Sequence, residues 1–103
     1  MNLPEPFYRL RLAKGFLDEA RQDVSLKRWR SALDSSQLAV EHASKAVLAL
    51  LGPVGRTHQP AVHLRKALDE GHFDSHQAPS VKALAEKAEL LGPDVHIQTD
   101  YGD

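Results

Sequence analysis

The 103-residue chain contains no cysteine. That excludes a disulfide framework, a thiolate metal site and a cysteine nucleophile, and it agrees with a reducing compartment. No apolar run is long enough to span a bilayer, because Arg and Lys interrupt every candidate. The opening Met1-Asn2-Leu3-Pro4-Glu5-Pro6 lacks the basic-then-apolar order of a secretory signal. The expectation is a cytoplasmic protein with no membrane attachment. Strand signals are nearly missing, and no repeat, low-complexity segment or linker appears. Nor does one sign of charge prevail. Net charge is −1, with eight Lys/Arg against six Asp/Glu in residues 1–51 and five against eight in residues 52–103. A net-acidic second half argues against general nucleic-acid binding. The local cluster Lys27-Arg28-Trp29-Arg30 reads as a solvated helix entrance with Trp29 turned into the core.

What the chain does have is helical periodicity, in a length that suits one domain with a modest core. Helix one is expected from about Pro4 to Val24, with Leu10, Ala13, Leu17, Ala20 and Val24 stepping by three and four. Gly15 costs that helix about 1 kcal/mol relative to alanine and suits the close approach of another helix. Ser25 reads as the N-cap of helix two, which runs to about Leu51 and stops at Gly52-Pro53. Helix three is expected to begin near His58–Pro60 and end near Glu70-Gly71, with Ala61, Leu64, Ala67 and Leu68 facing inward. A polar loop anchored by Phe73 follows. Helix four runs from about Pro79 to Leu91, with Val81, Leu84, Ala85, Ala88 and Leu91 on its apolar face. The segment from Asp94 to Asp103 reads as an extended tail. The fold class that results is all-α, an antiparallel up-and-down bundle of four main helices in a single domain, residues 1–103.

Helix two carries the most information. Trp29, Ala32, Leu33, Ser36, Val40, Ala43, Val47 and Leu50 form one apolar stripe, while Leu38, Ala39, Ala46, Ala49 and Leu51 mark a second side. A helix apolar on two sides sits in the middle of a bundle or lies against another chain. The second side, where His42 stands beside small residues, is expected to be a dimer seam. Gln37, Glu41 and Lys45 recur every fourth residue, in the favourable order for an i, i+4 ion pair.

These pieces resemble the HEPN family of small prokaryotic all-α domains. The resemblance rests on Ser36-Gln37-x-Ala39-x-Glu41-x-Ala43-x-Lys45-Ala46, a short apolar run ending in glycine, and Thr57-His58 soon after Gly52-Pro53. It covers nearly the whole chain. It implies a helical bundle, commonly homodimeric and often encoded beside a minimal nucleotidyltransferase in a toxin–antitoxin pair. It also implies metal-independent ribonuclease activity from an Arg-x4–6-His motif. In such a motif histidine exchanges protons with the 2′-hydroxyl or the leaving oxygen, while arginine supports the phosphate charge. Arg56 with His63 and Arg65 with His72 have this spacing, but both lie earlier than the family position. Where small relatives carry Arg-Tyr-Pro, this chain has Thr99-Asp100-Tyr101-Gly102, so only Tyr101 matches and Asp100 reverses the charge.

The candidate site residues each have two readings. Arg56 and His58 flank Thr57 at the mouth of helix three, where a helix N-terminus beside a cation receives phosphate; the plainer role is Thr57 as a cap. Glu41 and Lys45 either line a nucleotide pocket or satisfy each other. His72 and His76 with Asp74 lack a third strong ligand, so neither a metal nor a cofactor is expected. The functional expectation is a non-catalytic or degenerate HEPN-like interaction module, homodimeric, with a nucleotidyltransferase-type partner in a toxin–antitoxin-like or nucleotide-linked system. Arg56, His58, Glu41, Lys45 and Tyr101 are its candidate binding residues for RNA or a nucleotide. The first alternative is an active ribonuclease toxin using Arg56 and His63. The second is an unrelated helical scaffold.

Overall fold

A computed structural model describes residues 4–55, 57 and 59–91. The expected tail, Asp94 to Asp103, lies outside them. Four helices follow in order: α1 (Glu5–Ser25), α2 (Trp29–Ala49), α3 (Pro60–Asp69) and α4 (Ala78–Leu90). No strand occurs among the described residues, and the architecture is the all-α bundle expected. No helix among them is long and apolar enough to cross a membrane.

The turn between α1 and α2 differs from expectation. Ser25 is the last residue of α1, and its hydroxyl donates back to the Gln22 carbonyl at 2.7 Å. The helix instead ends in a Schellman motif. The Arg28 amide bonds the Asp23 carbonyl at 2.8 Å and the Lys27 amide bonds the Val24 carbonyl at 3.0 Å. Lys27 takes the left-handed conformation (φ 60°), a place where glycine is usual. Trp29 then begins α2 facing outward, 63% exposed, because the three-residue turn delivers the chain to the outer side of the hairpin.

Asp23 locks this turn. Its carboxylate accepts the Ser31 hydroxyl at 2.7 Å and lies 3.9 Å from the Arg28 guanidinium, while the residue itself is buried. Ion-assisted bonds of this kind bind the end of one helix to the start of the next.

Along the hairpin the buried apolar residues are small: Ala13 and Ala20 on α1, and Ala32, Ala39 and Ala46 on α2, with Ser35 among them. Alanine recurs at a spacing of seven on both helices. Contacts from Arg9 beside His42 to Asp23 beside Ser31 set an antiparallel register, which brings Ala13 level with Ala39 and Ala20 level with Ala32. Seven residues are nearly two helical turns, so each series forms a straight row and lets the backbones approach closely. Ala39 and Ala46 therefore serve a seam within the chain. The dimer seam expected on that side of α2 is corrected accordingly.

The opposite side of α2 receives α3 and α4. Leu64 and Ala85 are fully buried and Val81 nearly so, with Val47, Leu48, Leu68, Phe73 and Leu84 packed around them. The inward residues expected of α3 and α4, and the anchoring role of Phe73, are those observed. α3 ends in a second Schellman motif, with Gly71 (φ 76°) in the left-handed position and the His72 amide on the Ala67 carbonyl at 3.1 Å. Asp74 and Gln77 then form a reciprocal capping box. The Gln77 amide donates to Asp74 Oδ1 at 2.8 Å, and Gln77 Oε1 accepts from the Asp74 amide at 3.4 Å.

α1 packs on α2 and makes at most a marginal contact with α3 or α4. The stripe expected on α1 consequently splits. Ala13 and Ala20 are buried, while Leu10, Leu17 and Val24 stand 42–52% exposed on its shoulder.

Candidate functional site

A group of ionisable side chains, Arg9, Glu41, His42 and Lys45, lies where α1 meets the middle of α2. His42 stacks on Phe16, with ring centroids 5.5 Å apart and an interplanar angle of 8°. Its Nδ1 lies 3.4 Å from Arg9 Nη1, a long contact in which the imidazole nitrogen is the acceptor. A guanidinium is always a donor, so this contact selects the tautomer protonated on Nε2. Burial lowers the His42 pKa below its ordinary value, Arg9 lowers it further, and Lys45 adds to the effect against the opposing pull of Glu41. His42 is thus held neutral near pH 7 and caps the seam as an aromatic plate.

Glu41 and Lys45 lie on the same helix, with Lys45 Nζ 3.9 Å from Glu41 Oε2. Their side chains retain 18% and 9% of their exposure. An ion pair so shielded from water is less screened than a surface pair.

A second feature is a shallow cleft of about 440 Å³ between the end of α2, the Gly52–Gly55 loop and the start of α3. Leu48, Leu51 and Val54 make it chiefly apolar, and Thr57 and His63 supply its polar rim. Thr57 is not the cap of α3. Its Oγ1 accepts the Gln59 amide at 3.1 Å, and Gln59 occupies the N-cap position without a side-chain cap bond. His63 is exposed on α3, and among the described residues no hydrogen bond or ion pair holds its ring. Arg56, His58 and Tyr101 lie outside the described residues, so no geometry joins them to His63, Glu41 or Lys45.

The other arginine–histidine spacing is accounted for differently. Arg65 makes a two-pronged ion pair with Glu89, at 2.9 Å through both Nε and Nη2, joining α3 to α4. That pairing raises the Arg65 pKa and lowers that of Glu89. His72 Nε2 lies 3.6 Å from Glu70 instead of near a phosphate-ready cation. Asp74 is occupied with the backbone of His76 and Gln77. Among the described residues no group of three or more His, Asp or Glu stands close enough to hold a metal ion.

Two features escaped the sequence reading. Asp23 gave no signal, since an aspartate in a polar helix end is unremarkable until Ser31 and Arg28 are seen around it. The exposed apolar row on α1 was legible as a row, but that no other described helix covers it was not.

A family model described as the HEPN domain matches residues 8–103. No curated protein and no solved structure matches the chain.

Proposed function

The chain belongs to the HEPN domain family, and on that premise we propose that it is a non-catalytic helical interaction module. It acts as a homodimer with a nucleotidyltransferase-type partner, in a toxin–antitoxin-like or nucleotide-linked system. One observation carries this reading: Leu10, Leu17 and Val24, with Phe7, remain on the surface although they lie on the longest helix pair of the molecule. Apolar residues aligned in this way on a small domain mark a surface for another protein. Two further features agree. Arg65 is committed to Glu89, and no arginine follows it in the chain.

The ribonuclease reading keeps one specific support, the exposed and unheld ring of His63 beside a cleft. Arg56 is its partner by sequence spacing. Incubation with RNA, with and without a chelator, distinguishes the two readings. The module reading expects no cleavage above background. Metal-independent cleavage lost in both Arg56→Ala and His63→Ala would establish the enzyme instead. Light scattering across a concentration series tests the homodimer, and co-purification with a nucleotidyltransferase encoded beside this chain tests the partner.

A further inference from the structure

The turn between α1 and α2 presents an indole ring and three cations to solvent. Trp29 is 63% exposed, and Lys27, Arg28 and Arg30 beside it are exposed as well. Among the described residues no other ring stacks on the indole, and the side chains of Lys27 and Arg30 make no hydrogen bond or ion pair. Arg28 approaches Asp23 only at 3.9 Å, and its side chain is 63% exposed. From Ala20 to Leu33 the chain carries Arg21, Lys27, Arg28 and Arg30 against a single acid, Asp23. That acid is buried, and its carboxylate accepts the Ser31 hydroxyl. The positive charge of the turn therefore faces outward without a matching negative one. Leu48, which lines the cleft beside His63, is about 28 Å along α2 from Trp29, so the turn and the cleft are separate places.

The chemistry of this surface names what it takes. A flat π face with cations beside it suits a molecule in which flat aromatic groups and anions are linked at short intervals. A single strand of nucleic acid is such a molecule, because each base is joined to a phosphate and its face is open for stacking. A duplex keeps its bases inside the stack. A lipid surface fits less well: Leu26 and Trp29 are the only apolar residues from Leu26 to Arg30, and membrane affinity grows with the apolar area buried. An acidic peptide satisfies the cations and gives the ring nothing flat to stack on.

We infer that the α1–α2 turn binds single-stranded nucleic acid, with Trp29 stacking on a base and Lys27, Arg28 and Arg30 holding neighbouring phosphates. The inference goes beyond the module reading and depends on neither the homodimer, the partner nor cleavage at His63.

Trp29 is the only tryptophan of the chain, so its fluorescence reads the contact directly. Titration of the intact protein with a short oligoadenylate RNA at low salt is expected to quench it to saturation. Three phosphate contacts predict that a tenfold rise in salt weakens binding about a hundredfold, and Arg30→Ala should reduce that factor to about twenty-five. With a labelled strand followed by anisotropy, Trp29→Ala is expected to raise Kd about tenfold or more. Lys27→Gly relieves a left-handed backbone (φ 60°), so it should weaken binding while Tm rises, and its loss cannot come from unfolding. Emission that oligoadenylate leaves unchanged overturns the inference. A strand that binds wild type and Trp29→Ala equally well overturns the stacking, and with it the choice of ligand. A blue shift on phosphatidylserine vesicles without a response to oligoadenylate would make the turn a membrane contact instead. Equal affinity for polyglutamate would make it an acidic-protein contact.

Discussion

The α1–α2 hairpin joins two helices of 21 residues over alanine and serine, whereas the α3–α4 hairpin joins helices of 10 and 13 residues over leucine and valine. The longer hairpin buries the smaller side chains. Its large apolar residues stand beside the seam, with Leu17 42% exposed where Leu64 is wholly buried. Its specificity comes from polar locks at either end, Arg9 with His42 and Asp23 with Ser31. Close backbone approach therefore exchanges core volume for a free lateral face. The shorter hairpin spends its apolar residues on α2 and has no comparable row left.

The sharpest way to break this comparison is to delete apolar volume on each side. Leu64→Ala is expected to cost about 2–5 kcal/mol of folding stability in urea titration, through lost burial and a residual cavity. Leu17→Ala, at concentrations below dimer formation, is expected to change stability by only about 0.5 kcal/mol. Equal losses would show that the α1 row is part of the intramolecular core.

The polar lock is the next target. Asp23→Ala removes the charged acceptor of the Ser31 hydroxyl and is expected to cost about 1.5–3 kcal/mol. Asp23→Asn retains an oxygen acceptor and should lose less. Thermal unfolding of the pair separates the hydrogen bond from the charge.

The two Schellman turns give a matched experiment. Lys27→Gly removes a left-handed penalty and is expected to stabilise the protein by up to about 1 kcal/mol, while Gly71→Ala introduces one of about 1–2 kcal/mol. Opposite shifts in Tm check both. A loss in Lys27→Gly would mean that the lysine side chain contributes more than its backbone costs.

His42 supplies a pH signature particular to the longer hairpin. Its folded pKa is depressed, so the native state binds fewer protons than the unfolded chain as pH falls through the ordinary histidine range. Stability from this group is complete above the unfolded pKa and declines as pH falls toward the folded one. Between pH 7 and 5 the wild type should therefore lose more stability than His42→Gln, measured by urea midpoints at each pH. The smallest effect is expected at Arg65–Glu89, an exposed pair. Glu89→Gln should cost little at low salt and less at high salt, because counter-ions screen surface charges.

Much of the fold was readable because helix ends are local events. Gly52-Pro53 and Gly71 mark stops through backbone chemistry that any reader of the chain can apply, and all four helices lie within a few residues of expectation. Ser25 misled because a helix can end with a left-handed lysine, which leaves no glycine to see. Periodicity placed Leu10, Ala13, Leu17, Ala20 and Val24 on one side of α1, but it cannot say how wide a neighbouring helix is. With alanine opposite alanine the contact is narrow, and the leucines fall outside it. For the same reason the core ends short of Trp29, although the residue continues the apolar stripe of α2. The site was less legible. Glu41 and Lys45 were nominated as a pair by their spacing, yet Arg9 and Phe16, 33 and 26 positions from His42, enter its surroundings only through the register of the hairpin.

Among the described residues α1 is attached to α2 and scarcely to anything else, and this has a kinetic side. A helix with one neighbour can come away while Leu64, Val81 and Ala85 stay packed, so its release costs less than unfolding the whole domain. Backbone amides of α1 should then exchange with deuterium in a faster tier than those of α3 and of the last turns of α2. A companion molecule lying along α1 would merge the two tiers into one.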